Sequence, residues 1–218
     1  MMNQDSLHFY GQRVLVPSSG EVLYTELLAR SAQVPDITRF VREAEAMGAI
    51  AAVDVHCLKL ALRLLRSDPH IRVGVNMSPH TPMLEPETLR VVIGAFEPYP
   101  DRLFVEIGSA AVAGAEDRVI DCVNAFRYVK ARIVLDGFLD GSNTLGRAQR
   151  LRPEYLKVSY VEQRSREYLE QAIKFAGRAS AELIAVGVET PATSGWLSGL
   201  GVNLQQGWLH HRPELIAG

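Results

Sequence analysis

Seven polar residues in separate short motifs carry the chemistry this chain could perform: Glu26, Asn76, Glu106, Asp136, Lys157, Glu189 and Gln206. Four are carboxylates, two are amides and one is an amine. Asn76 ends the run Val73-Gly74-Val75, Glu106 follows Leu103-Phe104-Val105, and Asp136 follows Ile133-Val134-Leu135. Lys157 closes Tyr155-Leu156. If these groups face one point, the carboxylates repel each other unless a cation or the lysine neutralises them. A donor set made only of oxygens suits Mg2+ or Mn2+ rather than zinc. Any one of these residues taken singly also fits a solvated or helix-capping role; their recurrence at successive strand ends is what points to a site.

The elements that must position them alternate along the chain. Strand-like runs cover Arg13 to Val16, Val22 to Leu28, Arg72 to Asn76, Leu103 to Ile107, Arg132 to Leu135, Tyr155 to Val158, Leu183 to Val188 and a short run near Val202 to Leu204. Most are continuous apolar stretches, which indicates strands buried on both faces. Helical patterns between them cover Ile37 to Met47, Asp54 to Arg66, Thr88 to Phe96, Glu116 to Val129, Arg147 to Leu151, Arg166 to Arg178 and Ser194 to Leu200. Gly48 supplies a C-cap for the first, and Asp68-Pro69 stops the second. This β-α alternation predicts an α/β fold with a mainly parallel sheet, and about eight strands suit a (β/α)8 barrel. Pro17-Ser18-Ser19-Gly20 reads as a hairpin, so the first two strands are expected to run antiparallel. In a barrel, residues at the C-terminal strand ends converge on one pocket. An open doubly wound sheet is the competing fold.

Composition narrows the function classes. The 25 acidic and 23 basic residues give a net charge of -2, too balanced to suggest a nucleic acid polymer or a membrane surface as an electrostatic partner. No apolar run approaches the roughly 18 residues of a membrane span, and the polar start MMNQDSLHFY does not read as a signal peptide. A cytoplasmic location is the expectation. Cys57 and Cys122 are read as two buried thiols rather than a disulfide. Without a linker, repeat or low-complexity segment, residues 1–218 are read as one domain. His56 is expected to pack on a helical face, and Trp208 on the barrel. His210-His211 is not read as a metal pair, because adjacent side chains rarely point the same way.

In order along the chain, these motifs resemble the EAL domain, the cyclic di-GMP phosphodiesterase fold. Glu26-Leu27-Leu28-Ala29-Arg30 stands where that family has Glu-Ala-Leu, a hydrophobic residue and Arg, and Gln12 precedes Glu26 by 26 − 12 = 14 residues. Asn76-Met77-Ser78, Val105-Glu106-Ile107, Leu135-Asp136-Gly137-Phe138 and Leu156-Lys157-Val158 match further family motifs. Gly187-Val188-Glu189-Thr190 and Gln206-Gly207-Trp208 with Arg212-Pro213 complete the series.

The resemblance implies a modified (β/α)8 TIM-like barrel with an antiparallel first strand. It implies two divalent cations that activate a water and clamp a phosphodiester, releasing linear pGpG. By position, Glu26, Asn76, Glu106 and Asp136 would hold the first metal, and Lys157 would orient the attacking water. Gln12 and Arg30 would face the dinucleotide, with Glu189 and Gln206 lining the same mouth.

The departures from that pattern fall on the other half of the site. Gly137 replaces an aspartate that belongs to the second metal, Val186 replaces a glutamate and Ser159 an aspartate. Glu106-Ile107-Gly108-Ser109 lacks the family's threonine and second glutamate. The loop Phe138-Leu139-Asp140-Gly141-Ser142-Asn143-Thr144-Leu145, which in relatives links the metals to a dimer interface, is altered, leaving the oligomeric state open. Asp140 could swing in for the missing aspartate. The stretch from Lys157 to Val186 is several residues shorter than in relatives.

One Mg2+ or Mn2+ site is therefore expected at most, with the second lost. Alternatively, the surviving acids persist because they pair with Lys157 and Arg30. The leading expectation is a degenerate EAL protein without significant phosphodiesterase activity that regulates by binding a protein partner met in trans. The alternatives are a cyclic di-GMP receptor and a weak metal-dependent phosphodiesterase.

Overall fold

The computed structural model describes residues 7–31, 37–108, 116–137 and 144–216. Two long strands open the fold: β1 (Leu7–Val16) and β2 (Glu21–Ser31), antiparallel in register from Leu7↔Ser31 to Val16↔Glu21. The turn between them closes on Val16, whose carbonyl accepts from the Gly20 amide at 2.8 Å, and Gly20 takes the left-handed backbone (φ 72°) such a turn requires. The strands β3 (Val73–Met77), β4 (Leu103–Gly108), β5 (Arg132–Asp136), β6 (Tyr155–Val158), β7 (Glu182–Val186) and β8 (Leu204–Gln206) follow β2 in parallel. β1 pairs antiparallel with β8 at Leu15↔Gln205, which closes the barrel. The expected barrel with its antiparallel first strand is what forms.

Helices α1 (Ile37–Ala46), α2 (Ile50–Ser67), α3 (Pro86–Gly94), α4 (Glu116–Tyr128), α5 (Thr144–Leu151), α6 (Arg166–Ala179) and α7 (Pro191–Gly199) lie in the connections. Several start earlier than the apolar pattern suggests. α3 begins at Pro86 and α7 at Pro191, because proline is tolerated in the first helical turn, where its missing N–H would have no partner. β1 begins six residues before Arg13, and a strand not expected, β9 (Glu214–Ile216), pairs with Phe9–Gly11 of that extension. The last parallel strand sits two residues later than the apolar run suggested, because it includes Gln205 and Gln206. Among the described residues no helix is long and apolar enough to cross a membrane.

Two cores hold the barrel, and strand alternation decides which residue enters each. Val73, Val75 and Met77 of β3, Leu103, Val105 and Ile107 of β4, and Ile133 and Leu135 of β5 pack outward against the helices. Val14, Tyr24, Phe104, Val134, Ile184 and Leu204 form a separate cluster that fills the barrel. Tyr24 stacks on Phe104 with ring centroids 4.4 Å apart. Gly74 makes the room, since a Cβ there would lie 2.5 Å from the Tyr24 ring.

Candidate site at the barrel mouth

The same two-residue period that sends Tyr24, Gly74, Phe104, Val134 and Ile184 inward sends in Glu26, Asn76, Glu106, Asp136 and Val186 one step further along. Asn76 and Glu106 lie side by side on neighbouring strands, and Asp136 lies level with Gly108. Val186 pairs with Gln206. The polar residues thus sit above an apolar plug, at the C-terminal ends of the parallel strands.

Lys157 is the hub. Its Nζ donates to Glu26 Oε2 at 2.8 Å and to Glu106 Oε2 at 2.6 Å. Glu26 also accepts from Asn76 Nδ2 at 2.8 Å and from Gln206 Nε2 at 2.8 Å. Glu106 Oε1 accepts from the Tyr24 hydroxyl at 2.8 Å. Glu26, Glu106, Lys157 and Gln206 are all buried, Glu106 to 1% exposure. Lys157 thus supplies one of the two neutralising charges that the sequence left open. Arg30, the other cation expected to pair with these acids, donates to the Ala29 carbonyl. Asp136 Oδ1 accepts from the Gly137 amide.

Electrostatics separate the two glutamates. Burial pushes Glu26 up, but the Lys157 charge and the hydrogen bonds from Lys157, Gln206 and Asn76 outweigh it and hold this carboxyl below its usual value. Burial pushes Glu106 up to about 8, the Glu26 and Asp136 charges adding to it against the pull of Lys157. Lys157 is itself raised: burial works against its charge, but Glu106, Glu26 and Asp136 together overcome it. Two buried carboxylates share one ammonium, and Glu26, which takes further hydrogen bonds from Asn76 and Gln206, is the one held low.

This arrangement bears on cations. Every carboxylate oxygen of Glu26 and Glu106 already accepts from a protein donor. Among the described residues no group of three or more His, Cys, Asp or Glu is arranged to hold a metal ion. Gly137, Ser159 and Val186 bring no carboxylate. The residues present do not fit a two-cation centre. Among the described residues, the Oε1 atom of Gln206 and the Nδ1 atom of His211 are buried without a hydrogen-bond partner.

A cavity of about 750 Å3 opens beside the hub. Gln12, Glu26, Arg30, Asn76, Asp136, Lys157 and Gln206 all line it, as do Ser159 and Val186. Gln12 is held by a 3.1 Å bond from its Nε2 to the His211 carbonyl. Glu189 is exposed, beyond the end of β7, and is not among the lining residues. Asp140 and most of the altered loop, residues 138–143, lie outside the described residues, as does Ser109.

Other residues sort as follows. His56 stacks on Phe9 at 5.4 Å, as expected of a packing residue, and both cysteines are buried and free. His210 Nε2 meets Gln205 Oε1 at 3.0 Å. Trp208, expected to pack on the barrel, is 58% exposed with the Arg212 guanidinium 5.3 Å from its ring centre.

Sequence reasoning missed Tyr24 and Asp54. Tyr24 was legible two residues before Glu26, on the same face of β2. Asp54 sits among Ile50, Val53, Cys57 and Leu58 on the buried face of α2, a lone acid in an apolar stripe. It accepts from the Ser78 amide at 2.8 Å and from the Thr81 hydroxyl, tying down the loop that follows Asn76. Burial raises its carboxyl despite those bonds.

Residues 1–213 match the EAL domain, and the chain belongs to that family. It is 28% identical over 245 residues to the cyclic di-GMP phosphodiesterase NbdA of Pseudomonas aeruginosa, covering 99% of this chain and 30% of NbdA. It is 23% identical over 177 residues to the blue light- and temperature-regulated antirepressor BluF of Escherichia coli, covering 77% of this chain and 42% of BluF. The chain thus spans less than half the length of these relatives. Its fold superposes on the PaMucR phosphodiesterase in complex with c-di-GMP with a TM-score of 0.84 at 22% identity, covering 96% of this chain and 97% of that one.

Proposed function

We propose that this protein regulates by binding, in cyclic di-GMP-related signalling, without significant phosphodiesterase activity. The observation that carries this reading is the closure of the acidic centre on Lys157. Glu26 and Glu106 are satisfied by an internal ammonium, and the positions of Gly137, Ser159 and Val186 hold no acid to complete a cation pair. Phosphodiester hydrolysis by a metal pair needs both the nucleophile and the leaving oxygen clamped. Losing several kcal/mol of that stabilisation lowers the rate by several orders of magnitude, at about 1.4 kcal/mol per tenfold. A single Mg2+ or Mn2+ would take Glu26, Asn76, Glu106 and Asp136 as ligands and would have to displace Lys157 to reach them.

The partner we propose is a protein. The relative named an antirepressor supports this by analogy alone. A second reading, a cyclic di-GMP receptor, is supported by the cavity. Its volume suits a small ligand, and Gln12 and Arg30 line it beside the hub. Arg30 offers a planar fork of donors for a phosphate or a base edge.

Two assays decide between these readings and turnover. Stoichiometric protein with Mg2+ or Mn2+ is expected to release no pGpG; release abolished by Glu26→Ala would sink the binding-only reading. Calorimetric titration with cyclic di-GMP in Ca2+ then asks whether the cavity is used. Micromolar or tighter binding favours the receptor. Its absence, with a protein recovered by pull-down whose binding ignores Glu26→Ala, favours the protein-binding regulator.

A further inference from the structure

The connection from β6 to α6 is short, residues 159–165, and it contains one turn of 3-10 helix, Val161–Gln163. Tyr160 enters that turn in the left-handed conformation, φ 60°. The turn carries Glu162 across to the next connection, between β7 and α7. There Glu162 Oε1 accepts from the Glu189 amide at 2.9 Å and the Thr190 amide at 3.0 Å, while Oε2 accepts from the Thr193 hydroxyl at 2.7 Å. Thr190 is the N-cap of α7 and accepts from the Thr193 amide at 3.2 Å. One carboxylate thus gathers backbone and hydroxyl donors from two turns, at a helix end where negative charge is favoured.

The segment held this way is tied on its other side to the hub. The Gln206 carbonyl accepts from the Gly187 amide at 2.9 Å and the Val188 amide at 3.1 Å, and the Gln206 side chain donates to Glu26. Val186 and Tyr160 line the cavity, and a Cβ on Gly187 would stand 3.6 Å from the Tyr160 backbone. Val186 therefore stands in the cavity wall, and the turn behind it, residues 187–190, is pinned on one side by Gln206 and on the other by Glu162.

We propose that Glu162 is a positioning residue for the cavity: its carboxylate holds the 187–190 turn against Gln206 and so presets the position of Val186 in the cavity wall. The functional half of this statement rests on the receptor reading; the geometric half does not.

Amide hydrogen exchange on the full chain tests the geometric half. In Glu162→Ala the Glu189 and Thr190 amides are expected to exchange about tenfold faster or more, with the Ile184 amide of β7 unchanged. Glu162→Gln keeps an acceptor oxygen and is expected to restore most of the protection. Unchanged exchange at Glu189 and Thr190 in Glu162→Ala overturns the proposal. So does equal acceleration at Ile184, which would mean general loosening. Should Glu162→Ala not fold, Glu162→Asp, whose shorter arm withdraws the carboxylate, takes its place in the same comparison.

Calorimetry with cyclic di-GMP in Ca2+ tests the functional half. The expected result is about tenfold weaker binding in Glu162→Ala, recovery in Glu162→Gln and an unchanged melting temperature. Equal affinity in all three proteins overturns the link between wall and ligand. If the wild type does not bind while exchange changes as expected, the receptor reading falls and the positioning role stands.

Discussion

Lys157 is the residue on which the mouth of this barrel turns. It lies between Glu26 and Glu106 at 2.8 and 2.6 Å, and all three are buried. Removing one partner of such a network leaves an uncompensated buried charge. Lys157→Met is therefore expected to destabilise the fold by about 3–5 kcal/mol in urea unfolding; a loss within experimental error would show that the hub does not hold the barrel. Glu106 gives a pH signature of the opposite kind to an ordinary ion-paired acid. Its folded value is raised to about 8, so its contribution is fully present below the ordinary carboxylate range and is lost as pH rises toward about 8. Glu26 is held low, so its contribution is present at neutral pH and is lost only on acidification. Urea unfolding of Glu106→Gln should gain on the wild type as pH is raised from about 5 to about 9. A constant difference across that range would mean that Glu106 does not titrate there.

At the scale of the element, glycines set where polar groups can stand. Gly207 follows Gln206, and a Cβ on it would lie 2.0 Å from the Val188 carbonyl oxygen. Backbone, not a flexible side chain, is in the way. Gly207→Ala is expected to lower the melting temperature by several degrees at the least, with strand β8 displaced. Gly137 has φ 66° at the end of β5. Gly137→Asp restores a carboxylate but places it in left-handed backbone, at a cost of about 1–2 kcal/mol. Because Ser159 and Val186 remain, that variant is expected to show no pGpG release with Mn2+. Turnover in it would mean that the missing aspartate alone separates this chain from hydrolysis.

At the scale of the whole molecule, closure of the barrel brings together residues from all along the chain: Lys157 and Glu26 are 131 positions apart, and Gln206 and Glu26 are 180 apart. The apolar plug of Tyr24, Phe104, Val134 and Ile184 sets the floor, and the polar layer rests on it. The prediction at this scale is that the floor and the hub are one unit. Gly74→Ala, which crowds Tyr24, should also disturb Glu106 through the Tyr24 hydroxyl. Its stability deficit and that of Tyr24→Phe should be non-additive in a double-mutant cycle. Additive deficits would show the two layers to be independent.

The sequence by itself determined the succession of strands and helices, the hairpin at the start and the placing of Glu26, Asn76, Glu106 and Asp136 at or beside strand ends. Each of these follows from local signals: turn residues, apolar runs and a side-chain period of two. Set beside the EAL pattern it resembles, it also displayed the missing acids at Gly137, Ser159 and Val186, since residue types are read directly. The pairing of Lys157 with both glutamates, rather than of Arg30 with either, was decided only by the tertiary structure. So were the Tyr24 bond beneath the hub, the capture of the β7–α7 turn by Glu162, the position of Glu189 outside the cavity lining and the exposure of Trp208. These depend on which strand ends are neighbours across the closed barrel and on how far each side chain reaches. Hydrogen bonding between residues more than a hundred positions apart leaves no periodic trace in the sequence.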